Sequence, residues 1–236
     1  TRKESSAASD VYKRQIITEA APANMGAVPP SLGFNHFLHD TAHAFGALLI
    51  SDEVLTGFRS SSQGYWGLDG AHEGWVPDLF AFGKVIGAGM PLAAFGGRAD
   101  LMDQLAPKGP VYQAGTLSGN PVACAAGLAQ LELLDHAVYE TLEQASVRLQ
   151  GACAQALTAA SVPHTINSLG TIFSVFFTEG PVTDYSSAQR QDLAAFSAFH
   201  ASMLAQGVYL PPSAFEVYFL SAAHDSSVLD LSLIHI

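Results

Sequence analysis

The chain of 236 residues predicts an α/β protein built on a parallel sheet and followed by a smaller α+β part. Three observations carry that expectation. The stretches Gln15-Ile16-Ile17-Thr18-Glu19-Ala20, residues 31 to 45 and Ala47-Leu48-Leu49-Ile50-Ser51-Asp52 read as strand, helix and strand, the order of a parallel crossover unit. The apolar run before Lys84 and the one at Leu92 to Phe95 read as further strands. From about Ala137 the texture changes to a long helix, an apolar strand and a second helix.

Each element has a local cause. Pro22 and Gly26 end the first strand, and Gly46 closes the first helix. Arg59 to Val76 is a glycine- and aromatic-rich connection, and an amphipathic helix is expected from Arg98 to Leu105. Asn120-Pro121 starts a small-residue helix to about Leu134, with proline in its first turn. A connecting helix over 138 to 160 precedes a strand at Thr171 to Phe177. A helix over 186 to 205, stopped by Gly207, is followed by short strands at Val208-Tyr209-Leu210 and Val217-Tyr218-Phe219-Leu220. Residues 1–15 and 231–236 lack this patterning and are read as non-native ends, leaving parts 16–136 and 137–230.

Composition excludes several classes. Hydrophobic residues make up 49% of the chain, enough for a sizeable core and too many for a disordered protein. Acids outnumber bases 21 to 10, which argues against a nucleic-acid partner. Cys124 and Cys153 are too few for a disulfide framework and fit a reducing compartment. With no apolar run of membrane-spanning length (about 18 residues) and no signal-peptide pattern, a cytoplasmic location is expected. His36, His39 and His43 recur at helical spacing, but no carboxylate or cysteine pattern completes a ligand set, so they are read as a half-exposed helix side and no metal is expected.

The chemistry concentrates around one amine. Between residues 16 and 229 the only lysines are Lys84 and Lys108, and Lys108 stands in a turn, Ala106-Pro107-Lys108-Gly109-Pro110. Lys84 sits between apolar runs, where burial would favour the neutral amine and make it a nucleophile toward carbonyls. The plainer reading is a lysine reaching from a strand end into water. Asp52 ends a strand, at the sheet edge where open α/β folds place ligands. Gly115-Thr116-Leu117-Ser118-Gly119 is a hydroxyl-rich turn suited to a phosphate, or simply a turn before a helix. A carbonyl-reactive lysine, an acid for a pyridine nitrogen and a phosphate seat together describe pyridoxal phosphate.

Asp52-Glu53-Val54-Leu55-Thr56-Gly57-Phe58-Arg59, Phe82-Gly83-Lys84-Val85-Ile86-Gly87-Ala88-Gly89-Met90-Pro91 and the stretch Pro110 to Pro121 resemble the glutamate-1-semialdehyde 2,1-aminomutase family, a branch of the class III aminotransferases. Ser213-Ala214-Phe215-Glu216 points the same way. The likeness runs from about Ile16 to Leu229 and matches the C-terminal half of a typical member. It implies a fold-type I pyridoxal-phosphate transferase of the aspartate aminotransferase kind, here a partial large domain (16–136) and a small C-terminal domain (137–230).

The resemblance assigns roles residue by residue. Lys84 forms the covalent link to pyridoxal 5'-phosphate and later moves a proton, Asp52 pairs with the ring nitrogen, and Val54 packs on the ring. Asn24 touches the ring oxygen, and Thr116 reaches the cofactor phosphate of a neighbouring subunit, so a homodimer with a shared site is implied. Tyr112 and Gln113 line the pocket, and Glu216 matches a glutamate near the substrate. Taken without the resemblance, Asn24 suits a left-handed turn, Val54 a core and Glu216 an exposed surface.

The implied reaction is intramolecular amino transfer from glutamate-1-semialdehyde to 5-aminolevulinate through the pyridoxamine phosphate form, serving tetrapyrrole synthesis. Family members carry a Ser-Gly-Thr phosphate turn, a ring-stacking aromatic and a mobile loop before the matched region, and this chain has none of them. The 236 residues alone are therefore expected to bind cofactor weakly or not at all. The alternatives are a class III ω-aminotransferase and an inactive fragment that only assembles.

Overall fold

A computed structural model describes residues 15–235, with side chains to residue 232. Most of the expected non-native leader, and Ile236, lie outside the described residues.

Strand β1 (Gln15–Glu19), helix α1 (Phe34–Ala44) and strand β2 (Leu48–Asp52) form the expected crossover. β1 and β2 pair in parallel with Glu19 opposite Asp52, and β3 (Leu79–Phe82) pairs in parallel with β2, placing Ala81 opposite Asp52. β4 (Ala94–Gly97) closes the order β1-β2-β3-β4 antiparallel to β3. α1 packs on this sheet through Leu38 and buried Ala42, against Ile16, Ala47, Leu49 and Trp75. The three parallel strands thus end at one edge, each delivering its following loop there.

Where the fold departs from the sequence-based expectation, long-range partners decide. β4 starts two residues later than predicted because its ladder to β3 runs from Ala94 opposite Phe82 to Gly97 opposite Leu79. The helix expected over Arg98 to Leu105 is a single turn, α3 (Ala99–Met102), after a short α2 (Gly70–Glu73). The backbone restriction before Pro107 opposes continuation.

α4 (Pro121–Leu133) is capped as predicted: the Asn120 side chain accepts hydrogen bonds from the Val122 and Ala123 N–H groups at 3.0 and 3.1 Å. Gly127 lets it approach the turn after Lys84, for a Cβ there would lie 2.8 Å from the Ile86 carbonyl oxygen.

α5 (His136–Ala159) buries Leu142, Ala145, Leu149, Cys153 and Leu157, one face at helical spacing. These pack on β6 (Ile172–Phe176), whose five residues are all buried. Its partner β5 (Thr165–Leu169) was not anticipated, because polar Thr165, Asn167 and Ser168 mask the strand pattern. Asn167 instead donates from its amide to the carbonyls of Ala27 and Val182, at 2.9 and 2.8 Å, which fixes this hairpin against the loop after β1.

The helix expected over 186 to 205 is two, α6 (Tyr185–Ala188) and α7 (Leu193–Ala205). Asp192 breaks it by capping the second, its carboxylate accepting from Ala194 and Ala195 N–H. Val208 to Leu210 is not a strand, since Pro211 and Pro212 cannot donate to a ladder, and Val217 to Leu220 contributes one bridge, Tyr218 to Phe173. A last helix, α8 (Ser226–His235), runs into the predicted tail and carries Asp230, which pairs with Arg148 on α5.

Among the described residues, no helix is long and apolar enough to cross a membrane. Cys124 is exposed and Cys153 buried, and burial pushes the Cys153 thiol up to about 11. A thiol-reactive dye near neutral pH is expected to titrate one fast thiol per chain, with the second appearing only on denaturation. Two fast thiols would contradict the packing of α5.

Candidate functional site

The loop that leaves β2 is folded around a buried carboxylate. Glu53 is 1% exposed; its carboxylate accepts from the Thr56 hydroxyl, from Tyr65 N–H at 3.0 Å and from Trp66 N–H at 2.9 Å. Burial pushes its pKa up, against the pull of these hydrogen bonds and with a push from the Asp52 charge. Gly64 has a left-handed φ of 68°, and a Cβ there would lie 2.6 Å from a Glu53 oxygen, so the loop closes tightly on Glu53. Residues 54 to 56 are thereby fixed at the sheet edge.

Asp52 is part-buried, and its Oδ1 accepts from Val54 N–H at 2.9 Å, while its side chain makes no other hydrogen bond among the described residues. Beyond β3 the chain passes through Gly83 into a 3-10 turn, Lys84–Gly87. Gly83 faces Val54, since a Cβ on it would meet Val54 Cγ1 at 3.2 Å. Lys84 itself has φ 48°, a left-handed conformation that costs a non-glycine residue on the order of 1 kcal/mol and is held only where the surroundings enforce it.

The edge residues line a recess of about 130 Å³: Glu19, Ala21, Asn24, Asp52, Val54, Leu55, Thr56 and Lys84. The structure therefore brings together Asn24, Asp52, Val54 and Lys84, from three separate segments. Asn24 is exposed in the loop after β1. Lys84 is exposed rather than buried, which corrects the sequence-based expectation: the 3-10 turn sends Ile86 into the protein and leaves the amine on the rim.

Other singled-out residues lie outside the recess. Tyr112, Gln113 and Thr116 belong to a segment, residues 111–119, exposed throughout. Glu216 is also exposed; it is its backbone carbonyl that is engaged, accepting from Ser174 Oγ at 2.9 Å.

Two residues that sequence reasoning passed over stand close to the chemistry. Glu19 lines the recess because it ends β1 in register with Asp52, and the rule that placed Asp52 at the strand end applies to it equally. Arg59 shares with Lys84 a larger cavity of about 580 Å³, together with Phe58, Val85 and Leu220. Its guanidinium stacks 4.3 Å over Phe219, burial lowers its pKa, and it makes no ion pair among the described residues. Lys84 thus stands between a recess lined by carboxylates and a cavity that holds a guanidinium.

Comparison with known proteins matches the sequence and fold to a family. Residues 12–223 match the description "Aminotransferase class-III". The chain is 60% identical over 216 residues to a glutamate-1-semialdehyde 2,1-aminomutase of Propionibacterium freudenreichii, covering 92% of this chain and 49% of that protein. An omega-transaminase from Sphaerobacter thermophilus superposes with a TM-score of 0.82 at 27% identity, over 94% of this chain and 50% of that one. A glutamate-1-semialdehyde aminomutase from Pseudomonas aeruginosa in complex with PMP gives 0.79 at 24% identity, over 93% and 50%, and at that identity shows the fold alone. The chain spans about half the length of these relatives. The α/β, fold-type I architecture expected from the sequence is the one these structures share, and the chain belongs to the class-III aminotransferase family.

Proposed function

We propose that the longer protein of which this chain forms a half is a pyridoxal-phosphate-dependent glutamate-1-semialdehyde 2,1-aminomutase. The observation that carries this is the convergence of Lys84, Asp52, Asn24 and Val54 on one recess, together with 60% identity to an enzyme of that name. The recess, about 130 Å³, is close to the size of a cavity (about 150 Å³) that accommodates one benzene-sized ring. Its donor set suits a pyridine: one carboxylate oxygen of Asp52 is uncommitted among the described residues, Val54 offers an apolar wall, and an amine stands on the rim.

When bound, pyridoxal phosphate supplies an electron-accepting ring that takes up charge as a substrate C–H bond breaks. Asp52 would hold the ring nitrogen protonated, Asn24 would contact the ring oxygen, and the exposed Lys84 Nζ would link covalently to the cofactor and, once freed, move a proton between a substrate carbon and a cofactor carbon. Arg59 is the cation placed to hold a substrate carboxylate in the larger cavity, and Glu216 is assigned to the substrate side by its match to the family's motif alone. Thr116 acts across a homodimer interface and Tyr112 and Gln113 line the pocket beside it, a reading supported by the exposure of Val111, Tyr112 and Leu117 in one segment. We read the longer protein as cytoplasmic, with 16–136 as the cofactor-binding part and 137–230 as the small domain, on the sequence pattern alone.

The test is to fuse this chain behind the N-terminal half of the Propionibacterium freudenreichii relative and supply glutamate-1-semialdehyde with no 2-oxo acid. Formation of 5-aminolevulinate is expected. A strict need for an added 2-oxo acid would identify an ω-aminotransferase instead.

A further inference from the structure

We propose that His36, His39 and Asp40 on α1, backed by Glu73 on α2, form a binding site for a first-row divalent transition-metal ion of the Zn²⁺ type, separate from the cofactor recess. Positions i, i+3 and i+4 of a helix share a face, and here the ligand atoms of the three side chains lie within 4.8 Å of one another. His39 Nδ1 is 3.0 Å from Asp40 Oδ1, and His36 Nε2 is 3.7 Å from Asp40 Oδ2. Metal–ligand bonds of about 2.0–2.1 Å place tetrahedral ligands about 3.3 Å apart, so both separations bracket what a Zn²⁺ ion requires. Two neutral imidazoles and a carboxylate are the donors this class of ion takes, and three protein ligands leave one position open.

The second observation is the residue behind the cluster. Glu73 Oε2 lies 3.5 Å from His36 Nδ1, the ring nitrogen opposite the one facing Asp40. The same oxygen accepts from Trp75 Nε1 at 3.1 Å, and Trp75 is 5% exposed, so the carboxylate is held in place. At 3.5 Å, longer than a hydrogen bond, the Glu73 carboxylate faces the far ring nitrogen of His36 electrostatically and leaves Nε2 turned toward Asp40. Trp75 also backs both rings, with centroids 6.2 Å from His36 and 5.8 Å from His39. His43, the third histidine of the row, is excluded because its Nε2 is committed to Asp78 at 2.9 Å. The carboxylate missing from the sequence pattern is thus supplied twice, by Asp40 on the same helix and by Glu73 from the next.

The proximity of Trp75 gives a direct readout. The untagged chain, stripped with EDTA and dialysed, is titrated with Cu²⁺ while tryptophan fluorescence is followed, and Zn²⁺ is then added as a competitor. Saturable quenching with one ion per chain, reversed by Zn²⁺, is expected. Binding should weaken at least about 10-fold in His36→Ala and in His39→Ala, and about 10–100-fold in Glu73→Gln, which leaves both ligand rings present. His136→Ala, at an exposed histidine elsewhere, should leave binding unchanged. Circular dichroism without metal establishes that each variant is folded. Non-saturating quenching, or equal affinity in the His36→Ala, His39→Ala and wild-type chains, would overturn the site.

Discussion

Borohydride reduction of the fused, full-length protein in the presence of pyridoxal 5'-phosphate is expected to fix one label, on Lys84, and Lys84→Ala should lower it to background. The chain contains four lysines; Lys3 and Lys13 lie outside the described residues, and Lys108 pairs with Asp103 at 2.6 Å. Of the two lysines among the described residues, only Lys84 has a place on the rim of the recess that Asp52 lines. Asp52→Ala should leave the amine able to be trapped but weaken cofactor binding about 10–100-fold, the consequence of losing a hydrogen bond to a charged group worth about 1.5–3 kcal/mol. In the 236-residue chain alone the label should be weak. Peptide mapping by mass spectrometry distinguishes the cases, and equal labelling of Lys84 and Lys108 in the fusion would show that the recess confers no selectivity.

Asp78→Ala should destabilise the chain by about 3 kcal/mol, lowering the melting midpoint by roughly 6–12 °C for a protein of this size. Asp78 is 1% exposed and binds three groups at once: Leu49 N–H at 2.8 Å, His43 Nε2 at 2.9 Å and Arg98 Nη1 at 2.7 Å. It thereby ties β2, α1 and the residue after β4 together at the start of β3. Removing it leaves a buried Leu49 N–H without that partner, while Arg98, half-exposed, can return to water.

The pH dependence of that contribution has a definite sign. Burial pushes the Asp78 carboxyl up, but the hydrogen bonds from Leu49, His43 and Arg98 outweigh it and hold the pKa below the usual carboxylate value. The unfolded chain therefore takes up the proton first as pH falls. The stabilisation is complete above the unfolded pKa of about 3.9 and is lost as pH drops through the folded value. Denaturant titrations of wild type and Asp78→Asn should show a gap that narrows below about pH 4. A gap independent of pH would mean that the charge on Asp78 contributes nothing.

How much was legible in the sequence depended on where the deciding contact lay. The crossover from β1 to β2, the cap at Asn120 and the buried β6 were all readable, because periodicity and capping are local. β5 was not, since Asn167 and Ser168 make sense only once the loop and hairpin they serve are in place. The length of the helix after Arg98 and the break at Asp192 were misjudged for a related reason: hydrophobic spacing continued where capping and proline geometry intervened.

The site divides in the same way. Asp52 at a strand end and Lys84 after a glycine are properties of short stretches, so the sequence by itself determined which groups could take part and in what order they come. Only the tertiary structure decided that Asn24, Glu19, Asp52 and Lys84 share one edge, because that depends on parallel register between strands more than 25 residues apart in sequence. It also decided that Lys84 is open to water while Glu53, next to Asp52 in the other motif, is enclosed. Lys84 stands in a 3-10 turn on the rim while the 54–66 loop folds back over Glu53, so exposure is settled by what packs there, not by the residue itself.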